Sequence, residues 1–412
     1  LSHQDRSVVV IPFSGVEWHP RELLLFVLFA FCAVRFYLGK ADLRPEIMHY
    51  CIFLYMAFFG YIAAVGLLRQ QDLSAVIAEC RYPLFLASFF VFVATISTQE
   101  DLHYYLRLII GLSLGIAAAS LLFFAYTLAT GNVVNVQNAL GEYVPRQIGP
   151  FLIQSVRPNG HPLFEMGAVM LAALLLFPET SRRHKVACLA GLALFSAAIL
   201  ITMMRTAYIS LAVSLLLLLI LLLPREVRAL ILSLGVLAGA AALSMLLLYG
   251  SGHSSADFSG VEVSIKGRLV ETEGALDTFL RAPLFGAGMG STFRGMGYVA
   301  KTTLLSVAEA EYQTVHNVWL YYLFKGGLMG FVLAAFALGG MTLRAYHITT
   351  HLQGPRERLL MCGILAVWIG QLIASLAMPR LTSPFGAVLL SMIACAFVVA
   401  GRKPARAGMT HG

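Results

Sequence analysis

The feature that most constrains this chain is a succession of apolar runs, each long enough to cross a bilayer. Eleven such runs fall near 22–38, 47–68, 82–98, 104–129, 161–178, 186–204, 206–223, 228–249, 318–343, 359–378 and 383–400. A spanning helix needs about 17–25 such residues. Hydrocarbon offers no water to backbone N–H and C=O groups, so a run of this kind must close its hydrogen bonds within itself as a helix. The expectation is an all-α polytopic membrane protein with about eleven visible spans. Composition agrees: 59% of the 412 residues are hydrophobic and 12% are charged, where a soluble domain carries about a quarter charged residues.

Lysines and arginines give the orientation, because short cytoplasmic loops collect them. Arg182, Arg183 and Lys185 form one basic loop, Arg225 and Arg228 a second, and Arg344, Arg356 and Arg358 a third. Arg402, Lys403 and Arg406 close the chain. All fall on one side if 186–204 and 206–223 are separate spans, and one helix over 186–223 would be about 57 Å long, nearly twice a hydrocarbon core. The loop with Arg35, Lys40 and Arg44 then joins the cytoplasmic side. The segments around 130–160, Arg205, 250–315 and Arg380 face outward. The net charge of +8 is accounted for by these loops and is no signal for nucleic acid. Residues 1–21 lack the n-region and h-region of a signal peptide. The visible N-terminus comes out external and the chain opens on Leu1, which predicts one more helix upstream, about twelve in all.

This topology divides the chain into N-terminal transmembrane helices (1–249), an external loop (250–315), and C-terminal transmembrane helices with a cytoplasmic tail (316–412). Long loops are seldom without a purpose. This one begins with the flexible stretch "GSGHSSADFSG". It continues with Ile265, Leu269, Leu276, Phe279 and Leu280 at helical spacing, an amphipathic helix over the membrane domain. Pro283 stops that helix, "PLFGAGMG" reads as a glycine-rich turn, and "TLLSVAEAEYQTV" reads as a second short helix. His316 and Asn317 follow, at the lip of an apolar run.

Three outward-facing arginines lie near lipid. Arg157 precedes the span at 161, Arg205 sits in a hairpin that has neither Gly nor Pro, and Arg268 begins the amphipathic helix. Each one alone also fits an arginine snorkelling at a helix end. Together they suit a phosphate or diphosphate, since guanidinium is planar, permanently charged and pairs bidentately with phosphate oxygens. A ligand both anionic and membrane-embedded is a phospholipid or a polyprenyl diphosphate. His316 brings a second chemistry. A helix N-terminus and neighbouring cations disfavour imidazolium, and a neutral imidazole can accept a proton. The bland alternative is a structural histidine bonded to a backbone carbonyl. Asn317 could orient a hydroxyl or cap backbone groups.

Other candidates carry less. His347 and His351 are four apart on a helix but lack a third ligand, and His161 is at most a minor contact. The external acids, Glu271 among them, show no Asp-x-Asp pair, so no metal and no cofactor are expected. The six cysteines lie singly in apolar stretches and read as small hydrophobes.

Four stretches, in order, resemble the O-antigen ligase and polymerase superfamily of bacterial inner-membrane glycosyltransferases. They are "RPNGHPLFEMGAVM" (157–170), "MMRTAYISLAVSLLLL" (203–218), "GRLVETEGALDTFLRAPLFGAGMGS" (267–291) and "HNVWLYYLFKGGLMGFVL" (316–333). One departure is Met204, where many relatives carry Ser. The resemblance implies a GT-C-like, metal-independent transferase at the periplasmic face of the inner membrane, with its C-terminus cytoplasmic. It implies a glycan donor on undecaprenyl diphosphate, with His316 as the catalytic residue, Arg205 and Arg268 on the donor diphosphate and Arg157 in support. The leading expectation is an O-antigen ligase moving polysaccharide onto a sugar hydroxyl of lipid A-core. An O-antigen polymerase or a protein O-oligosaccharyltransferase would share the donor chemistry. A lipid-linked glycan flippase or permease is the alternative from another class. It would want ionisable residues along its spans, and these are nearly free of them apart from Lys325. Gly326 and Gly327 would permit a bend, placing 316–324 flat at the interface and Lys325 among the headgroups.

Overall fold

The computed structural model describes residues 11–13, 16–18, 20–38, 46–132, 134, 136–138, 141–148, 151–223, 261–301, 304–379 and 381–402. The run at 228–249, the stretch "GSGHSSADFSG" and Arg380 lie outside them, as do Lys40, Arg44, Arg225, Arg228, Lys403 and Arg406.

Helices dominate. In chain order they are α1 (Pro20–Tyr37), α2 (Ile47–Leu68), α3 (Leu73–Leu84), α4 (Ser88–Thr95), α5 (Gln99–Thr130), α6 (Pro162–Leu175), α7 (Arg182–Ile201), α8 (Arg205–Leu222), α9 (Val261–Arg281), α10 (Val318–His351), α11 (Pro355–Ala374) and α12 (Pro384–Gly401). Among the described residues, eight helical segments are long and apolar enough to cross a membrane, with α3 and α4 together making one of them. Three expected spans are revised. The run at 22–38 is the helix α1, but Arg21, Glu22 and Arg35 crowd its 18 residues with charge. The run at 82–98 begins earlier, at Leu73, and a 3-10 turn over Phe85–Ala87 breaks it just after Pro83. The run at 161–178 is only the 14-residue α6, about 21 Å long at 1.5 Å per residue.

The expectation of an all-α chain is also corrected. Among the described residues, seven short strands form three small antiparallel sheets. β1 (Ile11–Phe13) pairs with β2 (Val16–Trp18). β3 (Val136–Asn138), β4 (Gly141–Ile148) and β5 (Phe151–Pro158) form a meander between α5 and α6. β6 (Phe293–Lys301) and β7 (Leu304–Tyr312) form a hairpin in register Phe293↔Tyr312 to Lys301↔Leu304. That hairpin replaces the expected second short helix. Ala308, Glu309, Ala310 and Glu311 alternate with period two, which is a strand pattern.

The main apolar cluster draws on α1–α6, α8 and α10–α12, with Ile52, Tyr55, Phe58, Ile364, Val367 and Val398 fully buried. A second, smaller cluster joins α5, α6, α7 and α8 around Phe164 and Phe195. Contacts sort the helix ends onto two faces. On one face Val318 N–H donates to Ser375 O, joining the start of α10 to the end of α11. Thr206 at the start of α8 meets Met378 there too. The other face gathers the basic loops: Gln99, Glu357 and Ala400 lie together, and Arg402 donates to Ser97 O.

One helix is broken in a way that the sequence half announced. α10 is interrupted at Gly327, whose φ of 62° and ψ of −164° are not helical. The glycine turn 283–290 enters the break. Ala287 N–H and Gly288 N–H donate to Phe324 O and Lys325 O, while Leu328 N–H and Met329 N–H donate to Pro283 O and Leu284 O. These bonds, with Tyr61 Oη donating to Gly326 O, pair backbone groups freed by the break inside the protein, as irregular backbone at membrane depth requires. Only glycine fits the turn. Gly286 and Gly288 have φ of 73° and 81°, and a Cβ on Gly288 would sit 2.3 Å from Gly66 N. Lys325 is not among headgroups. It is fully buried, and its Nζ donates to Glu79 Oε1 and Ser291 O, each at 2.7 Å.

Candidate active site

The site is built where α9 crosses the start of α10. Arg268 and Glu271 are three apart on α9 and therefore share a face. The β6–β7 hairpin carries the chain outward and returns it to Tyr312. Phe293 then stacks on Tyr312 at 5.5 Å and meets Phe324 edge-on at 5.5 Å. With Ala275, Ala287, Val315 and Leu320 these rings form a closed cluster pinning α9 to α10. Asn317, five residues after β7 ends, caps α10, its Oδ1 accepting from Trp319 N–H and Leu320 N–H. Of the two roles open to Asn317, its oxygen takes the cap.

This packing sets His316 beside Glu271. His316 Nδ1 lies 2.7 Å from Glu271 Oε2 and 3.0 Å from Oε1, and Arg268 Nη1 approaches the same Oε2 at 3.7 Å. The immediate neighbour of the imidazole is thus a carboxylate, where the sequence suggested only arginines and a helix N-terminus. The Glu271 side chain is 12% exposed and that of His316 43%. Burial pushes the Glu271 carboxyl above the usual glutamate range, and the Arg268 guanidinium partly offsets this. Burial also lowers Arg268, with Glu271 opposing. Tyr312 is raised by burial and by the Glu271 charge.

On its other side His316 borders a cavity of about 370 Å³, lined also by Phe59, Glu79, Asn159, Tyr321, Thr382 and Ser383. That volume is within the usual range for small-molecule sites. Asn159 brings the 157–170 stretch to the cavity, and Pro379 brings the α11–α12 loop that touches Thr206.

The arginines differ in what they do. Arg157 is committed to the protein: Nε donates to Thr202 O and Nη1 to Glu142 Oε2, both at 2.9 Å. Ser155 Oγ donates to the same carbonyl. Together they clamp the turn between α7 and α8. That turn has no Gly because Met203 itself takes the left-handed conformation, at φ 52°. Arg205, the first residue of α8, emerges from the clamped turn exposed and makes no ion pair among the described residues. Arg268 is half-exposed. Arg205 and Arg268 thus keep exposed guanidinium groups, while Arg157 braces the turn that presents Arg205.

Elsewhere, His161 Nδ1 meets Pro158 O as part of the entry to α6. His347 and His351 stack on one another at 4.1 Å. The six cysteines are free, five of them buried. Among the described residues, no three His, Cys, Asp or Glu side chains converge. Sequence reasoning overlooked Glu271, Glu79 and Glu165. Glu79 was placed ahead of its span. Glu165 is fully buried in α6 and accepts from Gln371 Nε2 at 2.6 Å. The spans are thus less free of ionisable residues than the sequence suggested, although these groups are paired. Glu271 faces inward with Ala275, on the side of α9 away from the exposed Leu269, Leu276 and Leu280, so the apolar stripe of the amphipathic helix does not single it out.

Residues 190–335 match the family model described as O-antigen ligase, and this supports the O-antigen ligase superfamily that the motifs resemble. The matched segment contains Arg205, Arg268, Glu271, His316 and Asn317, and it begins after Arg157. A chain from a solved peptidoglycan synthase complex, described for coordination of polymerization and crosslinking, aligns at 16% identity with a TM-score of 0.45. The alignment covers 87% of this chain and 97% of that one, a likeness from which nothing further follows. No curated protein matches the sequence.

Proposed function

We propose that this chain, a membrane protein with an O-antigen ligase family segment at 190–335, is an inverting, metal-independent glycosyltransferase. It takes O-antigen polysaccharide from undecaprenyl diphosphate and joins it to a sugar hydroxyl of lipid A-core. The observation that carries this reading is His316, a histidine backed by a buried carboxylate and bordering a 370 Å³ cavity. Arg268, through Glu271, and the exposed Arg205, whose neighbour Thr206 meets the α11–α12 loop lining the cavity, are the cations this reading assigns to the anion.

In this reading the acceptor hydroxyl enters the cavity and gives its proton to His316 Nε2. Its oxygen forms a bond to the anomeric carbon of the donor sugar. The bond from that carbon to the diphosphate oxygen breaks, and its electron pair leaves with the diphosphate. Attack opposite the leaving group inverts the carbon. Arg205 and Arg268 bind the diphosphate and offset its growing charge, an electrostatic contribution that a fixed cation makes without reorganisation. Arg157 holds the turn carrying Arg205, and Asn317 fixes the start of α10. The basic loops on the opposite face support a site on the periplasmic side of a bacterial inner membrane.

The test is a reconstituted assay with undecaprenyl-diphosphate glycan, offered rough lipopolysaccharide, a second donor molecule or a Ser-rich peptide. Transfer to lipopolysaccharide, unaffected by a chelator, is the expected result. Transfer only to the second donor would make the protein a polymerase, and transfer only to peptide a protein oligosaccharyltransferase. Movement of the donor across the bilayer with no transfer would make it a flippase.

A further inference from the structure

His316 is held from behind. Its Nδ1 faces both oxygens of Glu271, at 2.7 and 3.0 Å, while the ring also borders the cavity, whose lining does not include Glu271. A carboxylate only accepts, so Nδ1 must be the donor in this pair. The neutral ring then carries its hydrogen on Nδ1 and its lone pair on Nε2, the atom left to the cavity. The same Glu271 Oε2 is approached by Arg268 Nη1 at 3.7 Å. One buried carboxylate therefore touches both the imidazole and a guanidinium.

We propose that Glu271 is the positioning residue of the reaction, fixing His316 in the Nδ1–H tautomer and tying that base to the arginine which meets the donor diphosphate. This inference rests on the transferase reading above. When Nε2 takes the acceptor proton the ring becomes imidazolium, and the Glu271 carboxylate stabilises it as the carbon–oxygen bond forms. The diphosphate departs with the electron pair of the broken bond. Imidazolium later returns its proton to water or to the departing diphosphate. When a diphosphate occupies Arg268, that guanidinium's charge is shared with the phosphate, and the carboxylate acts more fully on the imidazole. The base is thus strongest when the donor is in place. Among the described residues, the charged or titratable groups around the pair are Arg268 on α9, Tyr312 at the end of β7 and, lining the cavity that His316 borders, Glu79 on α3 and Tyr321 on α10.

Glu271→Gln keeps shape and a hydrogen-bond acceptor but loses charge. It should lower kcat on the order of 10²-fold or more, as loss of the orienting carboxylate does in other carboxylate–histidine pairs. It should leave the donor KM within a few-fold and move the acid limb of the kcat profile to lower pH. Glu271→Asp should recover part of the rate. In the His316→Ala background, Glu271→Gln should cost nothing further, because a residue acting only through His316 has nothing left to act on. An additive loss in that double variant, or a wild-type kcat and pH profile in Glu271→Gln, would overturn the proposal. A readout free of turnover separates this from the function itself. In ¹⁵N-histidine-labelled protein, the resonances missing from His316→Ala should show a protonated Nδ1 in wild type and mixed tautomers in Glu271→Ala. A wild-type His316 protonated at Nε2 would sink the inference even in a fully active transferase. A protonated Nδ1 in a protein that transfers nothing would leave the pairing intact and remove the transferase reading.

Discussion

Two carboxylate–base pairs lie within one cavity's reach of each other, and they have opposite fates. Glu79 lines the same cavity, but both its oxygens are spent: Oε1 accepts from Lys325 Nζ and Oε2 from Gly290 N–H, and the Glu79 and Lys325 side chains are 6% and 0% exposed. Lys325 spends a second hydrogen on Ser291 O. Glu271 and His316 are sealed on one side only, with the imidazole 43% exposed. The first pair ties the glycine turn to the broken helix. The second leaves a nitrogen available for chemistry. The lesson is that neither charge nor pairing marks an active group here; a pair serves reaction when one partner keeps an unspent atom facing space.

The sharpest way to break this comparison is Lys325→Met. It strands Glu79 as a buried charge without its cation, which costs on the order of 3–5 kcal/mol. The thermal transition in detergent should fall steeply or vanish, and Glu79→Gln added to Lys325→Met should restore much of it. A single variant as stable as wild type would show that the sealed pair holds nothing together. His316→Ala should do the reverse. Activity should drop about 10²–10⁴-fold, the usual cost of a lost general base, while the melt shifts by no more than about 0.5 kcal/mol, as at an exposed position. A stable variant with wild-type turnover would remove His316 from the mechanism.

Arg205→Lys tests the outer edge of the open site. Lysine keeps the charge and loses the bidentate fork, so the donor KM should rise about tenfold, equivalent to about 1.4 kcal/mol, with little change in stability. Unaltered donor affinity would reduce Arg205 to a snorkelling side chain.

The smallest effect expected is on stability against pH. Burial raises the Glu271 carboxyl above its ordinary value, so the folded protein holds that proton more tightly than the unfolded chain does. By linkage its contribution to stability is fully present below the unfolded glutamate value and is lost as pH rises through the raised one. Glu271→Gln should flatten that limb of the melting curve. An unchanged slope would mean that Glu271 titrates as it does in the unfolded chain.

His316, Arg205 and Arg268 stand out in the sequence because each is a polar residue placed against an apolar expectation. Glu271 was written as one of several loop acids, since a single sequence does not say which of them meets a histidine 45 residues on. The β6–β7 hairpin was misread for a related reason. A short segment with alternating Ala and Glu suits either state locally, and its pairing partner 293–301 decides. Lys325 was noticed, but its partner sits on another helix, in a span whose start was placed too late.

The sequence by itself determined that this chain is a helical membrane protein with its basic loops on one side, because hydrophobic length and charge act locally along the chain. Its adjacent Gly326 and Gly327 also permitted a break there, since glycines lower the cost of leaving the helix, while the 283–290 turn that fills the break is a tertiary contact. Only tertiary structure decided which carboxylate stands behind His316, that Arg157 braces while Arg205 faces outward, and that Lys325 is buried against Glu79. Those outcomes depend on which surfaces are shielded from water and on contacts between residues far apart in sequence, and a linear pattern records neither.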